Sequence, residues 1–203
     1  MTGISDRIMK RLLSKGRGKW VCTPKDFLDL GSRAAIDQAL SRLTKNGDLR
    51  RLGRGLYDLP RTSGVLKRPA PVDIEKAVAA IARRDGVRIM PDGIVAANQL
   101  GLTNAVPAKT SYVTDGPTRD VKIGSRTIHL RHASPSVMAW TGKTSAPVAQ
   151  ALLCLGSKAA SDTRVVTTLK HKLPDAVKRD LLHNSSGLPS WAVPIVQSIM
   201  EAQ

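Results

Sequence analysis

Of 203 residues, 32 are Lys or Arg and 16 are Asp or Glu, so the chain carries a formal charge of +16, an excess that favours a polyanionic partner. With 41% hydrophobic and 24% charged residues, it has the composition of a globular protein and not of a disordered one. No run approaches the ~18 apolar residues that cross a bilayer, and the first 13 residues lack the apolar core of a signal peptide, so a soluble cytoplasmic protein is expected.

Residues 4–13 predict a helix. Ile4, Ile8 and Leu12, with Met9 and Leu13, recur at spacings of three and four. Asp6 lies in its first turn, Lys10, Arg11 and Lys15 lie near its end, and Gly16 and Gly18 break it. Residues 19–23 read as a short extended piece. Thr23 can cap a second helix and Pro24 can open it; this helix is short, ending near Leu30-Gly31. Ser32 caps a third helix over 34–45, which runs to Asn46-Gly47. Its apolar face is Ile36, Leu40 and Leu43 with Ala39 beside them. Its opposite face is Ala34, Gln38, Ser41, Arg42 and Lys45, with Arg33 and Asp37 at the margin. Residues 48–52 and 56–60, around Gly53-Arg54-Gly55, predict a β-hairpin. Helix, short helix, capped helix and basic hairpin, in that order, make a winged helix-turn-helix of residues 1–60.

Residues 61–71, where Pro, Gly, Ser and charge cluster, read as a linker to a second domain over 72–203. In that domain the pattern predicts a helix over 72–84, a short strand over 87–90 and a helix over 94–100. Strands follow over 109–114, 119–123 and 126–131, separated by Asp115-Gly116-Pro117 and Gly124-Ser125. The second and third of them alternate as half-buried antiparallel strands do. Helices are expected over 147–155, 162–172, 175–183 and 190–201, with Pro194 kinking or splitting the last. The fold class is therefore α+β: a winged helix-turn-helix followed by a mixed domain with a small antiparallel sheet and C-terminal helices.

The charge is concentrated at the front. Residues 1–68 hold 16 basic and 6 acidic side chains. A helix that enters the major groove must offer donors and acceptors to base edges and no bulky apolar group. Gln38, Ser41 and Arg42 meet that need, with Asp37 and Lys45 on the same side. Ser32 and Arg33 sit at the helix N-terminus, where recognition helices make their closest approach. Arg50, Arg51 and Arg54 on the hairpin, and Lys15, Arg17 and Lys19 in the glycine-spaced loop, are candidate phosphate contacts. Gly53 and Gly55 would let the hairpin tip approach the duplex. Duplex RNA fits less well, because its major groove is too narrow for a helix.

Little in the sequence points to catalysis. No P-loop, GxSxG or HExxH motif occurs. His129 and His132 would point to opposite faces of a strand and make a poor metal pair, and His171 and His183 are scattered. Asp115 and Asp120 flank a turn and read as turn chemistry more readily than as metal ligands. Cys22 and Cys154 read as two reduced, buried thiols, and Trp20, Trp140 and Trp191 as core or interface anchors. No enzyme, metal or cofactor is expected.

Two stretches carry a family resemblance. Thr23-Pro24-Lys25-Asp26-Phe27 through Arg54-Gly55-Leu56-Tyr57 resembles the N-terminal winged helix of AbiEi-type antitoxins. Tyr112-Val113-Thr114-Asp115-Gly116-Pro117, followed by Ile128-His129-Leu130-Arg131-His132-Ala133, is similar to their second domain. The resemblance implies a bacterial antitoxin of abortive-infection phage defence, paired with a nucleotidyltransferase-type toxin. Its winged helix would repress the toxin–antitoxin promoter by binding inverted repeats of double-stranded DNA. Its C-terminal domain would carry antitoxicity, in many members without a stable complex with the toxin. By motif position the recognition helix is 32–45 and the wing 49–59. Two other readings stay open: a stand-alone regulator whose second domain senses a ligand or dimerises, and an enzyme whose second domain acts on nucleic acid.

Overall fold

The structure, a computed structural model, describes residues 3–62, 64, 68–105 and 110–201. Ser63, Val65, Leu66 and Lys67 of the expected linker, and Lys109 of the expected strand, lie outside the described residues. The chain is α+β, as expected, and divides into two units: Met1–Val87 with Val121–Thr127, and Arg88–Asp120 with Ile128–Gln203.

The first unit begins with helix α1 (Ile4–Lys15), strand β1 (Val21–Cys22) and a single 3-10 turn, Pro24–Phe27. Helix α2 (Arg33–Lys45), strands β2 (Arg50–Gly53) and β3 (Leu56–Asp58), and helix α3 (Ile74–Asp85) follow. The sheet order is β1-β3-β2, with both pairings antiparallel. The second helix of the sequence reading is shorter than expected. Asp26 accepts from both the Thr23 N–H (2.8 Å) and the Thr23 hydroxyl (3.1 Å), and this closes the turn within four residues. Ile8, Leu12, Cys22, Phe27, Ile36, Leu40, Leu43, Leu49, Tyr57 and Leu59 form one buried cluster that welds α1 and α2 to the sheet.

Helix α3 belongs to this first unit and not, as the sequence suggested, to the second domain. Successive strand residues face opposite ways. Cys22 and Tyr57 face the helical core, so Val21, Leu56 and Asp58 face the other side, yet all three are buried. Helix α3 packs against β1 and β3 with Ala77, Val78, Ala80 and Ile81 buried. Arg83 donates to the Val21 carbonyl (2.9 Å) and pairs with Asp26 (3.3 Å), while Lys76 donates to the Gly18 carbonyl (3.3 Å). The described ends of the segment expected to be a linker stay with the same unit. Thr62 bridges to Pro69, and the Ala70 N–H donates to the Arg61 carbonyl at 2.7 Å. The division therefore falls after residue 87, because a sheet with two apolar faces needs a helix on each.

The second unit contains β4 (Ile89–Pro91), α4 (Gly93–Gln99) and β5 (Thr110–Thr114). Strands β6 (Arg119–Ile123) and β7 (Arg126–His132), joined by the Gly124-Ser125 turn, complete a sheet of order β4-β5-β7-β6. β4 pairs antiparallel with β5, whereas β5 and β7 run parallel, with Tyr112 beside Leu130. Then come α5 (Pro135–Met138), α6 (Ala146–Ala160), α7 (Thr163–Lys172), α8 (Asp175–His183) and α9 (Ala192–Met200). Met90, Val113, Met138, Trp140, Val148, Leu152, Leu169, Leu181, Val196 and Ile199 lie in its core. Pro194 neither kinks nor splits α9. The helix starts at Ala192, so proline falls in the first turn, where its missing N–H has no intrahelical acceptor to lose. The break lies instead in α6, at Gly156 (φ 70°).

Candidate nucleic-acid interface

The candidate surface starts from how α2 is held. The Ser32 hydroxyl accepts from the Ala35 N–H at 3.3 Å, satisfying one of the free donors at the helix start. Ile36, Ala39, Leu40 and Leu43 are buried. Phe27, fully buried, anchors the preceding turn, stacks edge-on against Trp20 (5.8 Å between ring centroids) and lies under the Arg11 guanidinium at 5.7 Å. Arg11 also donates to the Asp26 carbonyl (2.8 Å) and makes a two-pronged pair with Asp29. That hydrogen bond holds the Asp29 carboxyl below the usual carboxylate range and the Arg11 guanidinium above the usual arginine range. Sequence reasoning missed Arg11, Asp26 and Asp29 as positioning residues. Their shared cue was an acid pair in the short turn with an arginine on the preceding helix.

The outer face of α2 is as expected. Ser32, Arg33, Asp37, Gln38, Ser41, Arg42 and Lys45 are all exposed. Arg33 and Asp37 pair with each other at 2.9 Å across one turn. An exposed pair of this kind contributes at most ~1 kcal/mol, so either group can be redirected to a ligand. Among the described residues, the side chains of Gln38, Ser41, Arg42 and Lys45 have no intramolecular partner. In the basic loop, the Gly18 N–H donates to the Leu59 carbonyl at 2.7 Å and fixes the backbone, while Lys15, Arg17 and Lys19 extend into solvent.

The wing differs from its sequence reading at two places. Arg50 faces inward: its Nε and Nη2 donate to the two oxygens of Asp58 at 3.0 and 2.6 Å, and Nη1 donates to the Ala70 carbonyl at 2.9 Å. Asp58 is 5% exposed, and its carboxylate raises the guanidinium above the ordinary arginine range. Arg50 is thus a structural ion-pair partner and is set aside as a phosphate contact. The two glycines are also explained internally. A Cβ on Gly53 would lie 2.6 Å from the Lys122 carbonyl, and Gly55 has φ +65°, a conformation that costs an L side chain about 1–2 kcal/mol. Arg84 donates to the Arg54 carbonyl beside it. Arg51 and Arg54 keep exposed side chains.

Elsewhere the candidate chemical groups are engaged. Asp115 accepts from the backbone N–H and the guanidinium of Arg88, both at 2.8 Å, and lies below the usual carboxylate range in consequence. Asp120 pairs with His129 Nδ1 at 2.6 Å, and His132 Nδ1 lies 3.0 Å from the Gly116 carbonyl. No group of three or more His, Cys, Asp or Glu side chains placed to hold a metal occurs among the described residues. Cys22 is buried, as expected, but Cys154 is exposed, even though its Cβ lies against Gly93 of α4. Cys154 borders a cleft of about 290 Å³ lined also by Asp92, Arg131, His132, Ser134 and Gln150. Burial pushes the Asp92 carboxyl up, but hydrogen bonds from Arg131 and Ser111 outweigh it and hold the group below the usual range. No helix among the described residues is long and apolar enough to cross a membrane.

A family model matches residues 7–180, the winged helix and most of the second unit. The chain belongs to the family DUF6088. That family is described as one of unknown function, so membership assigns no chemistry to the surface above. No curated protein matches the chain.

Proposed function

We propose that this protein is a sequence-specific double-stranded DNA-binding repressor that reads its site with α2. One observation carries the reading. The outer face of α2 presents Gln38, Ser41, Arg42 and Lys45 with no internal partner, on a helix whose other face is fixed in a buried core. Base edges are read by such side chains: arginine is bidentate to guanine, and glutamine to adenine. Lys15, Arg17, Lys19, Arg51 and Arg54 supply phosphate contacts around it. Five such contacts give a slope of about −4.5 for log affinity against log salt.

The test is DNA protection mapping upstream of the protein's own gene, followed by Arg42→Ala. The variant is expected to lose about 1–3 kcal/mol of discrimination between the protected site and random duplex. Equal loss on both duplexes overturns base readout by Arg42.

The resemblance to AbiEi-type antitoxins supports a specific role for this repressor: binding an inverted-repeat operator and counteracting a nucleotidyltransferase-type toxin. Rescue of cells expressing such a toxin from an adjacent gene tests it, and toxicity undiminished by the full chain refutes it. The cleft beside Cys154 favours a second reading, in which a small ligand held by Arg131 and its neighbours modulates DNA affinity.

A further inference from the structure

The segment Val121–Thr127 lies with the winged helix, in the first unit. The Gly124 N–H donates to the Leu52 carbonyl at 2.7 Å, and β2 is the edge strand of its sheet. The Lys122 carbonyl comes so close to Gly53 that no Cβ fits between them. Ile123 is 1% exposed, which pins the segment in place. The turn therefore covers the open edge of the wing, a place where unpaired backbone groups would otherwise stay exposed.

What this segment presents outward is positive. Lys122 and Arg126 are exposed, flank the small residues Gly124 and Ser125, and have no partner among the described residues. No acid occurs between Val121 and Thr127. Much of the remaining charge of the unit is consumed internally. Arg11, Arg33, Arg50, Lys76, Arg83 and Arg84 each pair with an aspartate. The cations left without a carboxylate include the basic loop, the end of α2, Arg51 and Arg54, and these two.

We infer that Lys122 and Arg126 are phosphate contacts, and that the DNA-binding wing is composite: the Arg50–Asp58 hairpin and the Val121–Thr127 turn locked to its edge. The partner is the sugar–phosphate backbone of duplex DNA. A lysine and an arginine around a Gly-Ser apex offer charge and donors without a side chain that reads bases. The inference rests on the DNA-binding reading above and extends its footprint to a segment some seventy residues downstream of the wing. Two more phosphate contacts move the expected salt slope of the full chain from about −4.5 to about −6.3.

The experiment measures affinity of the full chain for a short random-sequence duplex across a salt series. It compares the native protein with Lys122→Gln/Arg126→Gln, and with a control that removes the same charge from exposed sites on the second unit, Lys158→Gln/Arg164→Gln. All three are checked for equal thermal midpoints. The tip variant is expected to flatten the slope by about 2, and the control to leave it unchanged. As a second probe, Ser125→Asp places a negative charge at the apex and is expected to weaken binding most at low salt. Normal binding with an unaltered slope in the tip variant overturns the composite wing and leaves α2 as the reader. Equal flattening by the control also overturns it, because general charge loss then explains the effect. Absence of duplex binding by the native chain removes the DNA-binding reading itself.

Discussion

Arg50→Ala is expected to lower the unfolding free energy by about 3 kcal/mol, at the lower end of what breaking a buried ion pair costs. Asp58 is the reason. Its side chain is 5% exposed, and both of its oxygens accept from Arg50. Removing the guanidinium leaves the Asp58 carboxylate without the two donors that both of its oxygens accept from. The Ala70 carbonyl loses a donor as well, so the backbone at Ala70 loosens with the wing. The cost stays near the lower end because Arg50 is itself 28% exposed, and the emptied space can admit some solvent. Arg54→Ala is the informative comparison. Its side chain is exposed and makes no internal bond, so stability should hold while the salt slope flattens by about 1. Urea unfolding and a salt titration of both variants separate the roles. Equal stability of Arg50→Ala and the native protein would refute the internal assignment, and an unaltered slope in Arg54→Ala would remove that residue from the interface.

Phe27→Ala is expected to cost about 3–5 kcal/mol, the range for truncating a fully buried phenylalanine. The ring is 0% exposed and sits in the cluster that joins α1, α2 and the sheet. It meets Trp20 edge-on and carries Arg11 over its face, so truncation also removes an aromatic contact and a cation–π contact. The functional consequence follows from position. The 3-10 turn that Phe27 closes sets the entry of the chain into α2, and on the proposed DNA-binding reading a shift of α2 would move Gln38 and Arg42 off the base edges they are proposed to read. Conditions can be found where the variant remains folded, and there its loss of specific DNA affinity should exceed its loss of nonspecific affinity. A variant as stable as the native protein in denaturant would show that the turn is held by Arg11 and Asp29 instead.

Much of the first unit was legible from local chemistry. Ser32 caps α2 because a hydroxyl there meets a free N–H. Ile36, Leu40 and Leu43 recur at helical spacing and are buried, while Gln38, Ser41, Arg42 and Lys45 are polar and exposed. Arg50 could not be separated from Arg51 and Arg54 in the sequence, because alternation in a short strand does not say which face is covered. That depended on α3, whose apolar stripe Ala77, Val78 and Ile81 carries no label for the surface it will join.

The sequence by itself located α1, α2, the hairpin strands and most of the later strands and helices, though not α5 or the full length of α6, and it marked one face of α2 as polar, because periodicity and capping are local properties of the chain. Tertiary structure alone decided that α3 completes the first unit, that β5 lies parallel to β7, and that a turn at residues 121–127 closes the edge of the wing. Those outcomes turn on contacts between residues tens of positions apart, where burial of a second sheet face and satisfaction of an edge carbonyl outweigh any preference written along the chain.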